Sequence, residues 1–159
     1  MNFEAKPIIL GQNQHILSND YIKDFIFAGK AIITIKNIEN QNHFTFRINQ
    51  YKDIIKNDKD ENIRKPLWFV SVCRSYNEWL YIGLLNQKHN FIPSKKLDLN
   101  TISIKTFQFI LNHYVYNNNY DKRVEFYHEG YCMKCGRLLT EPDSVSLGLG
   151  PFCRSLINL

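Results

Sequence analysis

The sequence predicts an α+β fold, a mostly antiparallel sheet of about four to six strands packed by one main helix and closed by a C-terminal zinc knuckle. Three observations predict it. Short runs of alternating or continuous apolar residues recur through residues 30–86, a longer stretch over residues 104–114 repeats at helical spacing, and three of the four cysteines lie at or beyond Cys132. At 159 residues the chain has the length of one domain and can bury a real core. The expected organisation is an α+β domain over residues 1–126 with a zinc-binding module over residues 127–159 packed on it.

The first dozen residues, with Pro7 and Gly11, read as an extended arm or edge strand. Ser18-Asn19-Asp20 offers an N-cap before Tyr21, Ile22, Phe25 and Ile26, and Gly29 supplies a stop, so a short helix is expected over residues 18–28. From Lys30 the period changes to two. Ile33 and Ile35 alternate with Thr34 and Lys36, and Phe44, Phe46 and Ile48 alternate with Thr45, Arg47 and Asn49 beyond a break at Asn40-Gln41-Asn42. This is a β-hairpin with an apolar face and a polar face that carries Lys36, Arg47 and Lys52.

Residues 53–66 mix charges without periodicity and are expected to form a long loop. Two strands follow, over residues 67–74 and 78–86. Trp68, Phe69, Val70, Val72, Trp79, Leu80, Tyr81, Ile82 and Leu84 fill both of their faces, which predicts central strands covered on both sides. Phe91-Ile92-Pro93 suits a short edge strand. After Asp98 or Asn100 as cap, Ile104, Phe107, Ile110, Leu111 and Tyr114 make the apolar stripe of the main helix, which Asn117-Asn118-Asn119 ends. Residues 123–127 form a last strand.

Cys132-Met133-Lys134-Cys135-Gly136 has the C-x-x-C-G form of a zinc knuckle, in which glycine suits the positive φ of a tight turn. Cys153 follows Gly148-Leu149-Gly150-Pro151, an approach that leads into a short helix with proline in its first turn. A structural zinc site takes four ligands. His128 is the expected fourth, giving H-x3-C-x2-C-x17-C, with Cys73 as its rival; Cys73 sits in an apolar run and reads as a small buried hydrophobe. Four protein ligands leave no position for an activated water, so the expected cofactor is a structural Zn2+.

The run Cys132, Cys135, Gly136, Arg137, Leu139, Thr140, Pro142, Ser144, Val145, Gly148, Gly150, Pro151, Cys153 also resembles a small zinc-binding module, written CxxCGRxLTxPxSxxxGxGPxC. That module occurs in bacteriophage and mobile-element proteins and as an accessory segment of larger DNA-handling proteins. The resemblance implies a zinc fold and a phage or mobile-element origin, and supplies no activity.

No G-x-x-x-x-G-K-[ST], G-x-S-x-G or H-E-x-x-H is present. Asp53, Asp58, Asp60 and Glu61 alternate with lysines as a solvated loop does, and Glu129 beside His128 lacks the H-x-E order of a zinc deaminase. The expectation is a non-enzymatic binding protein. The net charge of +5 suits a nucleic-acid or nucleoprotein partner, and no apolar run has membrane-span length, so the bacterial host's cytoplasm is the expected compartment. Two partners stay open. A host nucleoprotein such as a CRISPR effector would make this an anti-defence, anti-CRISPR-type inhibitor. Alternatively, Lys134, Arg137 and Arg154 around the knuckle join Lys122 and Arg123 in a basic end that grips DNA or RNA, with Tyr127 and Tyr131 stacking on bases.

Overall fold

The alternation of residues 30–49 builds the centre of a sheet. Ala31, Ile33 and Ile35 of β2 (Lys30–Asn37) and Phe46 and Ile48 of β3 (His43–Lys56) are buried on one face. The computed structural model describes residues 14–76 and 78–156; the arm expected over the first dozen residues lies outside them. The other strands are β1 (His15–Leu17), β4 (Asn62–Ser75), β5 (Glu78–Leu85), β6 (Phe91–Pro93) and β7 (Val124–His128). All pair antiparallel, in the order β1-β7-β2-β3-β4-β5-β6.

The strand count among the described residues is seven, where the sequence led to four to six. His15, Ile16 and Leu17 add an edge strand against His128, Tyr127 and Phe126. β7 enters the sheet between β1 and β2, so the expected boundary at residue 126 falls inside a strand.

The segment expected as a loop over residues 53–66 is instead paired backbone. β3 and β4 run on past the core as a two-stranded ribbon, with Asp53 opposite Lys65, Ile54 opposite Arg64 and Lys56 opposite Asn62. Asn57 closes its tip, because its Oδ1 accepts the amide N–H groups of Lys59 and Glu61 at 2.9 Å each. Most of the ribbon is exposed, so nothing selected the apolar alternation by which strands are read.

Helix α1 (Ile22–Phe27) follows a 3-10 turn, Asn19–Tyr21, and Ser18 makes no side-chain cap bond. Helix α2 (Ile102–Ile110) starts behind Thr101 and continues as π-helical turns, Leu111–Tyr116. Asp98 shapes the turn before it by accepting the Asn100 N–H at 2.8 Å. Ile104, Phe107, Ile110, Leu111 and Tyr114 are buried, as their spacing requires. Phe107 meets Phe46 and Phe91 at ring separations of 5.3 and 5.0 Å, and Tyr114 meets Phe126 at 4.6 Å. Trp68 belongs to the same core and donates its indole N–H to the Phe27 carbonyl at 3.2 Å.

The covering of β4 and β5 on both faces is corrected. Trp68, Val70, Val72, Ile82 and Leu85 are buried, but Phe69 and Trp79 are half-buried and Tyr81 is 40% exposed on the outward face. Among the described residues no helix is long and apolar enough to cross a membrane.

Candidate metal centre

The knuckle is a tight backbone crossing that begins where β7 ends. Leu139 N–H donates to the Gly130 carbonyl, Cys132 N–H to Arg137 and Gly136 N–H to Cys132, each at 2.8 Å. Gly136 has φ 77°, the conformation expected after the second cysteine. Helix α3 (Pro142–Leu147) has proline in its first turn and ends at Gly148 in the left-handed region, φ 69°. Pro151 then opens α4 (Pro151–Leu156), which presents Cys153 from its first turn.

These elements bring Cys132, Cys135 and Cys153 together, with all three Sγ atoms within 4.8 Å of one another. A tetrahedral zinc with bonds of about 2.3 Å holds its sulfurs about 3.8 Å apart, so the thiols stand near coordinating separation. Cys132 and Cys153 are buried in the core with Met133, Leu139 and Leu149, whereas Cys135 is exposed.

The polar surroundings of Cys132 favour thiolate. Burial alone would raise its pKa, but N–H groups of Gly150, Cys135 and Lys134 outweigh it, and the thiol is held down to about 7. The Gly150 N–H reaches Cys132 Sγ at 3.4 Å. Cys153 is pushed up to about 12, first by burial and then by its two thiol neighbours. Three sulfurs crowded in this way match a soft or borderline cation. A metal ion there would tie the knuckle to the first turn of α4.

His128 is not a member of the cluster. Its ring is buried with both nitrogens engaged, Nε2 with the Val145 carbonyl at 2.7 Å and Nδ1 with the Gly130 N–H at 3.1 Å. A carbonyl only accepts, so Nε2 carries the proton and Nδ1 spends its lone pair on an amide. Burial, ahead of the opposing Val145 bond and the neighbouring His15, lowers the His128 pKa. Cys73 also stands outside the cluster. It lies half-buried on β4, opposite Trp79, with its S–H directed at the Ser75 carbonyl at 3.2 Å.

The basic residues expected to share one end are divided. Lys134 and Arg137 line a cavity of about 800 Å³ beside the thiols, together with Lys30 and Glu141. Arg154 turns inward, its Nη2 3.4 Å from Ser144 Oγ and 4.0 Å from the Glu141 carboxylate. Lys122 and Arg123 precede β7, at the far end of that strand from the knuckle. Arg123 closes a two-pronged pair on Asp121 at 3.0 and 2.7 Å, and the pair holds the Asp121 carboxyl down at about 2. Tyr127 donates its hydroxyl to Glu125, and Tyr131 bridges Leu138 through the backbone.

Sequence reasoning missed the amide donors around Cys132 and the outward aromatic face of β3, β4 and β5. The available signal for the face was Arg47 with Phe69, Trp79 and Tyr81, alternate positions of three successive strands.

Residues 123–158 match a family described as a family of unknown function (DUF6011). The match starts just before β7 and covers the whole knuckle. No curated protein and no solved structure matches the chain significantly.

Proposed function

We propose that this chain is a non-enzymatic binding protein whose C-terminal segment is closed by a structural Zn2+ and whose partner is a nucleoprotein, of the kind that host-defence effectors such as CRISPR complexes form. The observation that carries it is the convergence of Cys132, Cys135 and Cys153 within 4.8 Å, two of them in the core. Sulfur ligands suit zinc, and burial among Leu139 and Leu149 suits a structural role. The net charge of +5 and the exposed Arg137 near the thiols support a partner rich in phosphate. The anti-defence role rests on the likeness of the knuckle to phage modules.

A second reading, a zinc-containing DNA- or RNA-binding accessory protein, is favoured by Arg47 and the aromatic side chains on the outward sheet face. Metal analysis of the purified chain, followed by its use as bait in bacterial lysate with and without nuclease, tests both. Equimolar zinc and a nuclease-resistant nucleoprotein support the first reading. Capture of nucleic acid alone, lost on nuclease treatment, supports the second, and a zinc-free chain that folds normally overturns the structural metal.

A further inference from the structure

We propose that the metal centre keeps one coordination position open to the cavity beside it, and that an organic thiolate from outside the chain fills that position. This deepens the reading of a zinc-closed C-terminal segment and rests on it. The knuckle and α4 stay tied through the three thiols, and the added claim is the fourth ligand.

The position is left over by count. Zinc held through sulfur takes four donors, and the described residues bring together three, Cys132, Cys135 and Cys153. His128 is spent on Val145 and Gly130, and Cys73 on Ser75. Among the described residues, Glu141 is the carboxylate that lines the cavity; it stands outside the cluster and leans on Arg154 at 4.0 Å. Three protein donors and one open position make the arrangement in which zinc accepts a ligand from solution.

The opening has a place. All three cysteines line the cavity of about 800 Å³, a size that suits small ligands. One wall is the start of β2. Lys30 N–H donates to the Met133 carbonyl at 2.7 Å, and the Lys30 side chain lies so close over Gly136 that a Cβ there would be 3.3 Å from its Cδ.

The walls select the ligand. Lys30, Lys134 and Arg137 line the cavity against Glu141, whose charge Arg154 shares. A fourth thiolate adds to the surplus negative charge of three thiolates on a divalent ion, and these cations offset it, which favours an anion over a neutral donor. Leu138, Phe152 and Leu156 line the same cavity although all three are exposed, Phe152 to 75%. That apolar side suits a carbon-bearing body, which hydroxide or chloride lacks. Sulfur is the donor that matches the soft or borderline chemistry of the three already there.

The test uses the full-length chain loaded with Co2+ in place of zinc and kept reduced by a phosphine, so that no thiol is carried in. Phenylmethanethiol, its oxygen analogue phenylmethanol, and a short peptide with one central cysteine are titrated while the sulfur-to-cobalt absorption is followed. The two thiols are expected to raise that band by about one third, as three sulfurs become four, and the alcohol to leave it unchanged. The tighter thiol identifies a small molecule or a cysteine of another polypeptide as the source. Phe152→Ala lowers affinity for phenylmethanethiol roughly two- to tenfold, as loss of one ring contact does. Lys30→Ala lowers affinity for both thiols roughly two- to fivefold, with bound cobalt still equimolar. Equimolar cobalt whose band no thiol raises overturns the open position and leaves the metal centre intact. A thiol-free spectrum altered by Glu141→Gln also overturns it, by making Glu141 the fourth donor. Thiol affinity unchanged in both Phe152→Ala and Lys30→Ala overturns the selection by the cavity walls. A chain that takes up no metal overturns the centre and the open position together.

Discussion

His128 holds Val145 through a 2.7 Å bond from Nε2–H to the backbone carbonyl, while its Nδ1 receives the Gly130 N–H at 3.1 Å. One buried ring thus stitches β7 to α3 and to the turn that enters the knuckle. His128→Ala is therefore expected to keep equimolar zinc and lose about 2–4 kcal/mol of stability, from two broken buried hydrogen bonds and the space left behind. Metal analysis alongside chemical denaturation reads both quantities, and zinc loss at unchanged stability would return His128 to the metal.

The same ring makes stability depend on pH. Its folded pKa is below the ordinary 6.5, so between the two values the unfolded chain binds more protons than the native one. Stability is present in full above about pH 6.5 and falls as the pH drops toward the folded value. Denaturation curves at several values from pH 7.5 to 5 should show a steeper loss for the parent chain than for His128→Gln.

Cys132→Ser, or a strong chelator, would dismantle the proposed zinc centre that joins the knuckle to α4. Amide exchange should then rise at Cys132, Gly136 and Leu139, whose N–H groups close the knuckle, while the Ile33 and Phe46 amides in the sheet stay protected. Cys73→Ser, on β4, is expected to bind zinc as the parent does. Equal loosening of the whole sheet would show that the metal supports more than the C-terminal segment.

Gly83 admits the end of the sheet against its own backbone. It has φ 154°, and an added Cβ would stand 2.5 Å from the Ile92 carbonyl oxygen and 2.7 Å from the Phe91 ring. Gly83→Ala should cost roughly 1–3 kcal/mol and loosen β6, seen as a lower melting temperature and faster exchange at Leu84, which pairs with Ile92. Unchanged melting would mean that β6 can slide without loss.

The β3–β4 ribbon contributes little to the core. Replacing residues 54–64 by a two-residue Asn-Gly turn, which keeps Asp53 opposite Lys65, should leave the near-ultraviolet circular dichroism and melting temperature close to those of the parent. A large drop would show that the ribbon packs on something essential.

Legibility in the sequence followed burial. Ile33, Phe46, Val70 and Phe107 could be placed because a half-buried strand and an amphipathic helix imprint their periods. The ribbon left no such imprint, since Ile54 at 60% exposure serves no core and its order comes from backbone pairing and the Asn57 turn. The three thiols were legible because C-x-x-C and G-P-x-C dictate local turns. The direction of the His128 ring was not, because it depends on the Val145 carbonyl, supplied by a helix that spacing cannot orient. Proximity in sequence places Arg123 near Arg137, and the extended length of β7 separates them.

The position of β7 between β1 and β2 has a consequence for the making of the molecule. Ile33 of β2 is synthesised early, yet its neighbour on that side, His128, emerges only after most of the chain. Until then β2 keeps an open edge able to pair with another nascent copy. A ribosome that stalls before residue 124 would release a β2–β6 sheet with that edge bare. Insertion of β7 between β1 and β2 is therefore the step that closes this edge.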